Sequence, residues 1–171
     1  MIHKILVPIA FSNYSEGILK YSAGLAKAFG AKLLIVNVIN ERDLESIQKI
    51  SSFGYNVDAE HYLQTMQKER REKMAVLLEK AELSADTVTF SFQIGNPAEK
   101  LLQMVVEENV DTVVMGMRDR DISTLFTGSV AERMFQRCPT TLISYRDKEI
   151  ATQLRKRIKP AASAHDPDRR A

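Results

Sequence analysis

Lys4-Ile5-Leu6-Val7-Pro8-Ile9 and Lys32-Leu33-Leu34-Ile35-Val36-Asn37-Val38-Ile39 are the two stretches that decide the fold. Both are short and apolar at nearly every position, as expected of strands buried on both faces rather than one. Pro8 lies near the end of the first run, where a residue without an N–H does least harm to a ladder. Between the runs, Ile18, Leu19, Ser22, Leu25, Ala26 and Phe29 recur with helical spacing, which predicts an amphipathic helix over 14–29. Gly30 stands where a left-handed residue would close that helix. At its start, Ser12 or Asn13 would serve as N-cap, with Glu16 completing a capping box if Asn13 caps.

The same alternation continues downstream. Asp43–Ile50 predicts a short helix and Ser51–Gly54 a loop, so 40–58 is the least regular part of the chain. Ala59–Leu83 predicts a long helix with Tyr62, Met66, Met74, Leu77, Leu78 and Ala81 as its apolar members. The charges Lys68, Glu69, Arg70, Arg71 and Glu72 read as its solvated face. Thr87–Ile94 alternates as a third strand, and Gly95-Asn96-Pro97 is a turn that puts Pro97 at the first position of a helix over 97–108. Asp111–Met115 is a fourth strand, Gly128–Gln136 a helix and Thr140–Tyr145 a fifth strand. Strands separated by helices imply right-handed crossovers, hence an α/β fold: an open five-stranded parallel sheet with helices on both faces. Such a sheet binds ligands outside the carboxyl ends of its strands, where the strand order reverses.

Composition narrows the function. With 171 residues, 44% hydrophobic and 27% charged, the chain suits one soluble globular domain. A net charge of +2 does not mark a nucleic-acid binder, and no specific nucleic-acid partner is expected. No apolar run approaches the ~20 residues of a membrane helix, and no leader-like apolar stretch with a cleavage site opens the chain. Cys138 is the one cysteine, so no internal disulfide can form; a cytoplasmic location is expected. His3, His61 and His165 are too scattered for a zinc site. The charge is unevenly placed. From Asp147 onward, seven basic and four acidic residues leave the tail at +3, while the preceding 146 residues, with 17 basic and 18 acidic, stand at −1. The expected division is therefore a domain over 1–146 and a basic extension over 147–171. In the extension Ile150, Leu154 and Ile158 predict a short helix over 149–159, with disorder expected beyond Pro160.

Candidate chemistry sits after strands one, two and four. Pro8, Ile9 and Ala10 follow the first, and Val38 offers an apolar wall at the end of the second. After the fourth stand Met115, Gly116 and Arg118, running on to Gly128, Ser129 and Val130 at a helix start. A Gly-Ser pair opening a helix offers unpaired N–H groups, a hydroxyl and the positive end of the helix dipole, the parts of an anion site. Arg118 or Arg120 could add a charge-assisted bond to a phosphate. The same Gly128 and Ser129 equally read as a chain turn and a helix cap. Catalysis is not expected: Ser129 has no evident His–Asp partners, Thr127 and Ala131 replace the glycines of a nucleophile elbow, and no Gly-Lys-Ser P-loop is present. Cys138 reads as a small packing residue, with a redox sensor as the alternative, and the methionines as core filler.

Together, Ile5-Leu6-Val7-Pro8, Gly95-Asn96-Pro97-Ala98-Glu99, Val113-Val114-Met115-Gly116-Met117-Arg118, Gly128-Ser129-Val130-Ala131-Glu132-Arg133 and Cys138-Pro139 resemble the universal stress protein family over residues 1–146. The resemblance implies a Rossmann-like domain, commonly dimeric through its last strand, in a family where some members bind ATP and others do not. ATP-binding members carry an acidic residue where this chain has Ala10. They also carry Gly-x-x-Gly, nine residues, then Gly-Ser or Gly-Thr; here Asp119 replaces the second glycine, and only eight residues separate it from Gly128. Ala10 removes a polar partner of the nucleoside, and Asp119 sets a negative charge near phosphates. The expected function is a non-enzymatic regulatory or protective stress protein with a degenerate adenine-nucleotide pocket; the alternative is an ATP-binding switch with slow or no hydrolysis. A homodimer across strand 140–145 is expected, because an exposed sheet edge invites pairing. A protein partner, if one docks, is expected at the 40–58 segment or on the basic tail.

Overall fold

Ile5, Leu6 and Val7 are all 0% exposed, and that burial organises the molecule. The structure, a computed structural model, describes residues 1–52, 58–83, 85–116 and 130–158. Its five strands are β1 (Lys4–Pro8), β2 (Lys32–Asn40), β3 (Val88–Gly95), β4 (Thr112–Gly116) and β5 (Thr141–Tyr145). They form one sheet in the order β3-β2-β1-β4-β5, with every pair parallel. Chain order therefore reverses at β1, which has β2 on one side and β4 on the other. The helices are α1 (Ser15–Phe29), α2 (Glu41–Ser52), α3 (Ala59–Lys80), α4 (Pro97–Glu107), α5 (Val130–Arg137) and α6 (Lys148–Arg157).

Side chains of β1 divide between two cores as a strand's alternation requires. Ile5 and Val7 pack with Ile18, Leu19 and Ala26 of α1 and with Met74 of α3. Leu6 packs on the opposite face with Leu101 and Val105 of α4 and with Ala131 and Met134 of α5. Burying each such aliphatic side chain contributes about 1.5–3 kcal/mol, so neither face of β1 tolerates a polar substitution.

The helix-making signals act locally. Gly30 adopts φ 65° and its N–H bonds to the Ala26 carbonyl, closing α1 in the left-handed conformation. Asn96 caps α4, its Oδ1 accepting from the N–H groups of Ala98 and Glu99, and Pro97 opens the helix. Asp58 caps α3 and Asp147 caps α6 in the same way.

Several expectations need correction. Neither Ser12 nor Asn13 caps α1: Tyr14 holds the N-cap position without a side-chain bond, and the Ser15 N–H instead takes the Ser12 carbonyl at 3.0 Å in a tight turn. Phe29 is 47% exposed rather than part of the packed stripe, because α1 ends there and turns away. Helix α2 runs from Glu41 to Ser52, taking in residues expected to form a loop; 53–57 lie outside the described residues. The long helix ends at Lys80, and a 3-10 turn over Ala85–Thr87 precedes β3. Cys138 is half-buried, with its Sγ 3.5 Å from Thr140 Oγ1. Helix α6 buries Ile150 at 3% exposure and leaves Arg155, Lys156 and Arg157 on the surface.

At the amino ends of the strands, Asp111 clamps the chain's start. Its Oδ2 accepts from the N–H groups of His3 at 2.7 Å and Lys4 at 2.9 Å. Those bonds, His3's first and then Lys4's, hold its carboxyl below the ordinary aspartate value. A lowered carboxyl pKa contributes stability that is present above the unfolded-state value and lost as pH falls through the folded one. Asp111→Ala should therefore lower the thermal midpoint at pH 7, and the gap from the native chain should narrow below about pH 4. Thermal melts across that range check this.

Candidate functional site

The carboxyl ends of β1, β2 and β4 open into a cavity of about 360 Å³. That lies within the range of about 300–1,000 Å³ usual for small-molecule sites. Pro8, Ile9 and Ala10 form the lip after β1, and Val38 stands on β2. Met115 and Gly116 end β4, and Val130 begins α5 on the far wall. These expected site residues are thus brought together. Arg118, Gly128 and Ser129, with Asp119, lie outside the described residues. The lining also includes Ser12 and Tyr14 before α1, Asn37 of β2, and Pro97 and Leu101 of α4.

Gly116 sits close under Ile18 of α1: a Cβ there would stand 2.7 Å from Ile18 Cδ1, the far end of that side chain, so Ile18 would have to shift to admit one. Ala10 leaves the lip without any charge of its own. Phe11, next along, holds φ at 52°, an unfavourable conformation for a bulky residue. The corner is held from both sides of Ile9: its N–H donates to the Val36 carbonyl at 2.8 Å, and its carbonyl accepts from Asn37 Nδ2 at 2.7 Å.

Asn37 is the polar centre of the wall. It is 4% exposed, and its Oδ1 accepts from Arg70 Nη1 at 2.6 Å. With the guanidinium donating to Oδ1, Nδ2 must face Ile9, so Arg70 sets the orientation of the amide. The solvated-face expectation for the charge run therefore fails at one position on α3, Arg70, which is half-buried against Asn37; Arg71 stays exposed and stacks over the Phe92 ring at 5.0 Å from its centroid. Arg133 Nη1 of α5 donates to Asn96 Oδ1 at 3.5 Å, at the residue before Pro97. Sequence reasoning missed Asn37, Tyr14, Pro97 and Leu101 as lining residues, and Arg70 as the residue behind Asn37. A single Asn inside an otherwise apolar strand was the available signal, because a buried amide needs partners.

Among the described residues, no three His, Cys, Asp or Glu side chains gather as a metal site, and no helix is long and apolar enough to cross a membrane.

Comparison with known proteins agrees with this architecture. A model of the universal stress protein family matches residues 1–146. A universal stress protein of Methanocaldococcus jannaschii is 23% identical over 146 residues, covering 80% of this chain and 90% of that one. The solved structure of that archaeal protein superposes with a TM-score of 0.66 at 22% identity, covering 86% of this chain and 98% of the other. A universal stress protein in complex with cAMP shares the fold at a TM-score of 0.59 and 16% identity, covering 85% of this chain and 97% of its own. One from Archaeoglobus fulgidus in complex with dAMP does so at 0.58 and 16%, covering 85% and 100%.

Asn37→Ala would strand the Ile9 carbonyl and release Arg70. Leaving a buried acceptor unpaired costs about 1–3 kcal/mol, and a loss of stability in that range is expected by urea denaturation.

Proposed function

Because the chain belongs to the universal stress protein family, we propose that it is a non-enzymatic regulatory or protective protein of the stress response. It acts in the cytoplasm as a homodimer, with an adenine nucleotide held in the cavity above β1, β2 and β4. The observation that carries this is the cavity itself, placed where chain order reverses at β1. Ile9, Val38 and Met115 supply an apolar bed for a base, and α5 begins at the opposite wall, where a helix start favours the phosphate. The cAMP and dAMP complexes of structural neighbours support an adenine nucleotide as the ligand class. The pocket is altered by Ala10, which offers no acceptor where the resemblance sets an acidic residue.

The test is calorimetric titration with ATP, ADP and AMP, together with mass spectrometry of small molecules released on denaturation. Binding of at least one adenine nucleotide is expected. Ala10→Asp should strengthen it roughly ten-fold or more, since a hydrogen bond to a charged group is worth about 1.5–3 kcal/mol. No heat with any of the three, and no nucleotide released, would sink the proposal.

The dimer part rests on β5, which pairs with β4 on one side and lies at the sheet's edge on the other. Sedimentation at micromolar concentration should give twice the 19.3 kDa chain mass. A monomer there would overturn the pairing.

A further inference from the structure

The lip after β1 carries side-chain oxygens that neither the sheet nor α1 uses. Ala10, Ser12 and Tyr14 all line the cavity, while Phe11, held at φ 52°, packs against the core on the α1 side. Ser12 and Tyr14 are half-buried. Their carbonyls are committed to the first turn of α1. The Ser15 N–H takes that of Ser12 at 3.0 Å, and the Ile18 N–H takes that of Tyr14 at 3.0 Å. The acceptor each residue has left for the cavity is its hydroxyl, and among the described residues neither hydroxyl enters a hydrogen bond. Asn37 stands beside them, its Nδ2 donating to the carbonyl of Ile9, the residue before Ala10. The polar side chains of the described lining are therefore Ser12, Tyr14 and Asn37, all of them uncharged. A hydroxyl both donates and accepts, so the free pair suits ligand groups that do the same.

Their place in the sheet sets them at the middle of the cavity. β1 stands between β2, which brings Val38, and β4, which brings Met115 and Gly116 and faces Val130 of α5. A nucleotide laid across these strands, with its base over Val38 and its phosphate at the Val130 side, sets its sugar above the end of β1. A ribose presents two neighbouring hydroxyls there. Ala10 has only a methyl group to offer them, whereas Ser12 and Tyr14 each bring an oxygen to the same lip.

We propose that the hydroxyls of Ser12 and Tyr14 bind the sugar hydroxyls of the ligand, so that the cavity selects ribonucleotides over nucleotides lacking those groups. This rests on the adenine-nucleotide reading of the site and specifies its ligand. The probes are AMP and its 2′,3′-dideoxy analogue. Each is titrated by calorimetry into the native chain, Ser12→Ala, Tyr14→Phe and the double variant, all first checked for folding by thermal melting. The native chain should bind AMP about ten-fold more tightly than the analogue, as a pair of neutral hydrogen bonds allows. Each single variant should lose part of that preference and the double variant most of it, with affinity for the analogue unchanged throughout. A loss confined to AMP separates hydrogen bonding from support of the lip, which would weaken both probes alike. Equal affinities in the native chain, or a preference that survives the double variant, would overturn this proposal and leave the nucleotide reading standing. No binding of either probe overturns both. If the double variant does not fold, the single variants decide, and a preference unchanged in both overturns the assignment.

Discussion

Every other element takes its place from the double burial of β1. A strand hydrogen-bonded on both edges and covered on both faces must be apolar throughout, and Ile5, Leu6 and Val7 meet that demand without exposing any surface. The α1 and α3 side takes Ile5 and Val7, while the α4 and α5 side takes Leu6. Because β1 is the strand at which chain order reverses, the connections that leave β1 and β4 diverge to opposite faces. The crevice between them is a consequence of that divergence.

Once β1 ends, its backbone must be satisfied by something other than a ladder. The Ile9 N–H still reaches β2 at the Val36 carbonyl, but the Ile9 carbonyl has turned out of the sheet and depends on the Asn37 side chain. Asn37 in turn depends on Arg70. The lip of the cavity is thus held by a polar chain running from β1 through β2 to α3, in a wall that is otherwise apolar. Low local dielectric strengthens such a chain when complete and makes it costly when broken. It also explains how Phe11 keeps a left-handed backbone: the residues before it are fixed on both sides.

Much of this was legible from residue pattern. The β-branched runs located the strands, Gly30 and Pro97 marked helix boundaries, and the crevice residues from Pro8 to Ala10 and from Met115 to Gly116 followed from topology. Arg70 was not legible. In the sequence it sits inside Lys68-Glu69-Arg70-Arg71-Glu72, where composition favours a solvated face, and only the packing of α3 against the sheet turns it inward. The cap of α1 failed for a related reason: Ser12 and Asn13 have the right chemistry, but the backbone turn at Ser12–Ser15 serves the cavity lip, so the cap position passes to Tyr14.

The sequence by itself determined the element types, the parallel sheet and the family, because these depend on local periodicity and on residues whose backbone freedom is special, such as Gly30 and Pro97. Only the tertiary structure decided which polar groups meet: Asn37 with Ile9 and Arg70, and Asp111 with His3 and Lys4. These contacts join residues far apart along the chain. Their partners are selected by strand order and helix rotation, which no local window of sequence contains.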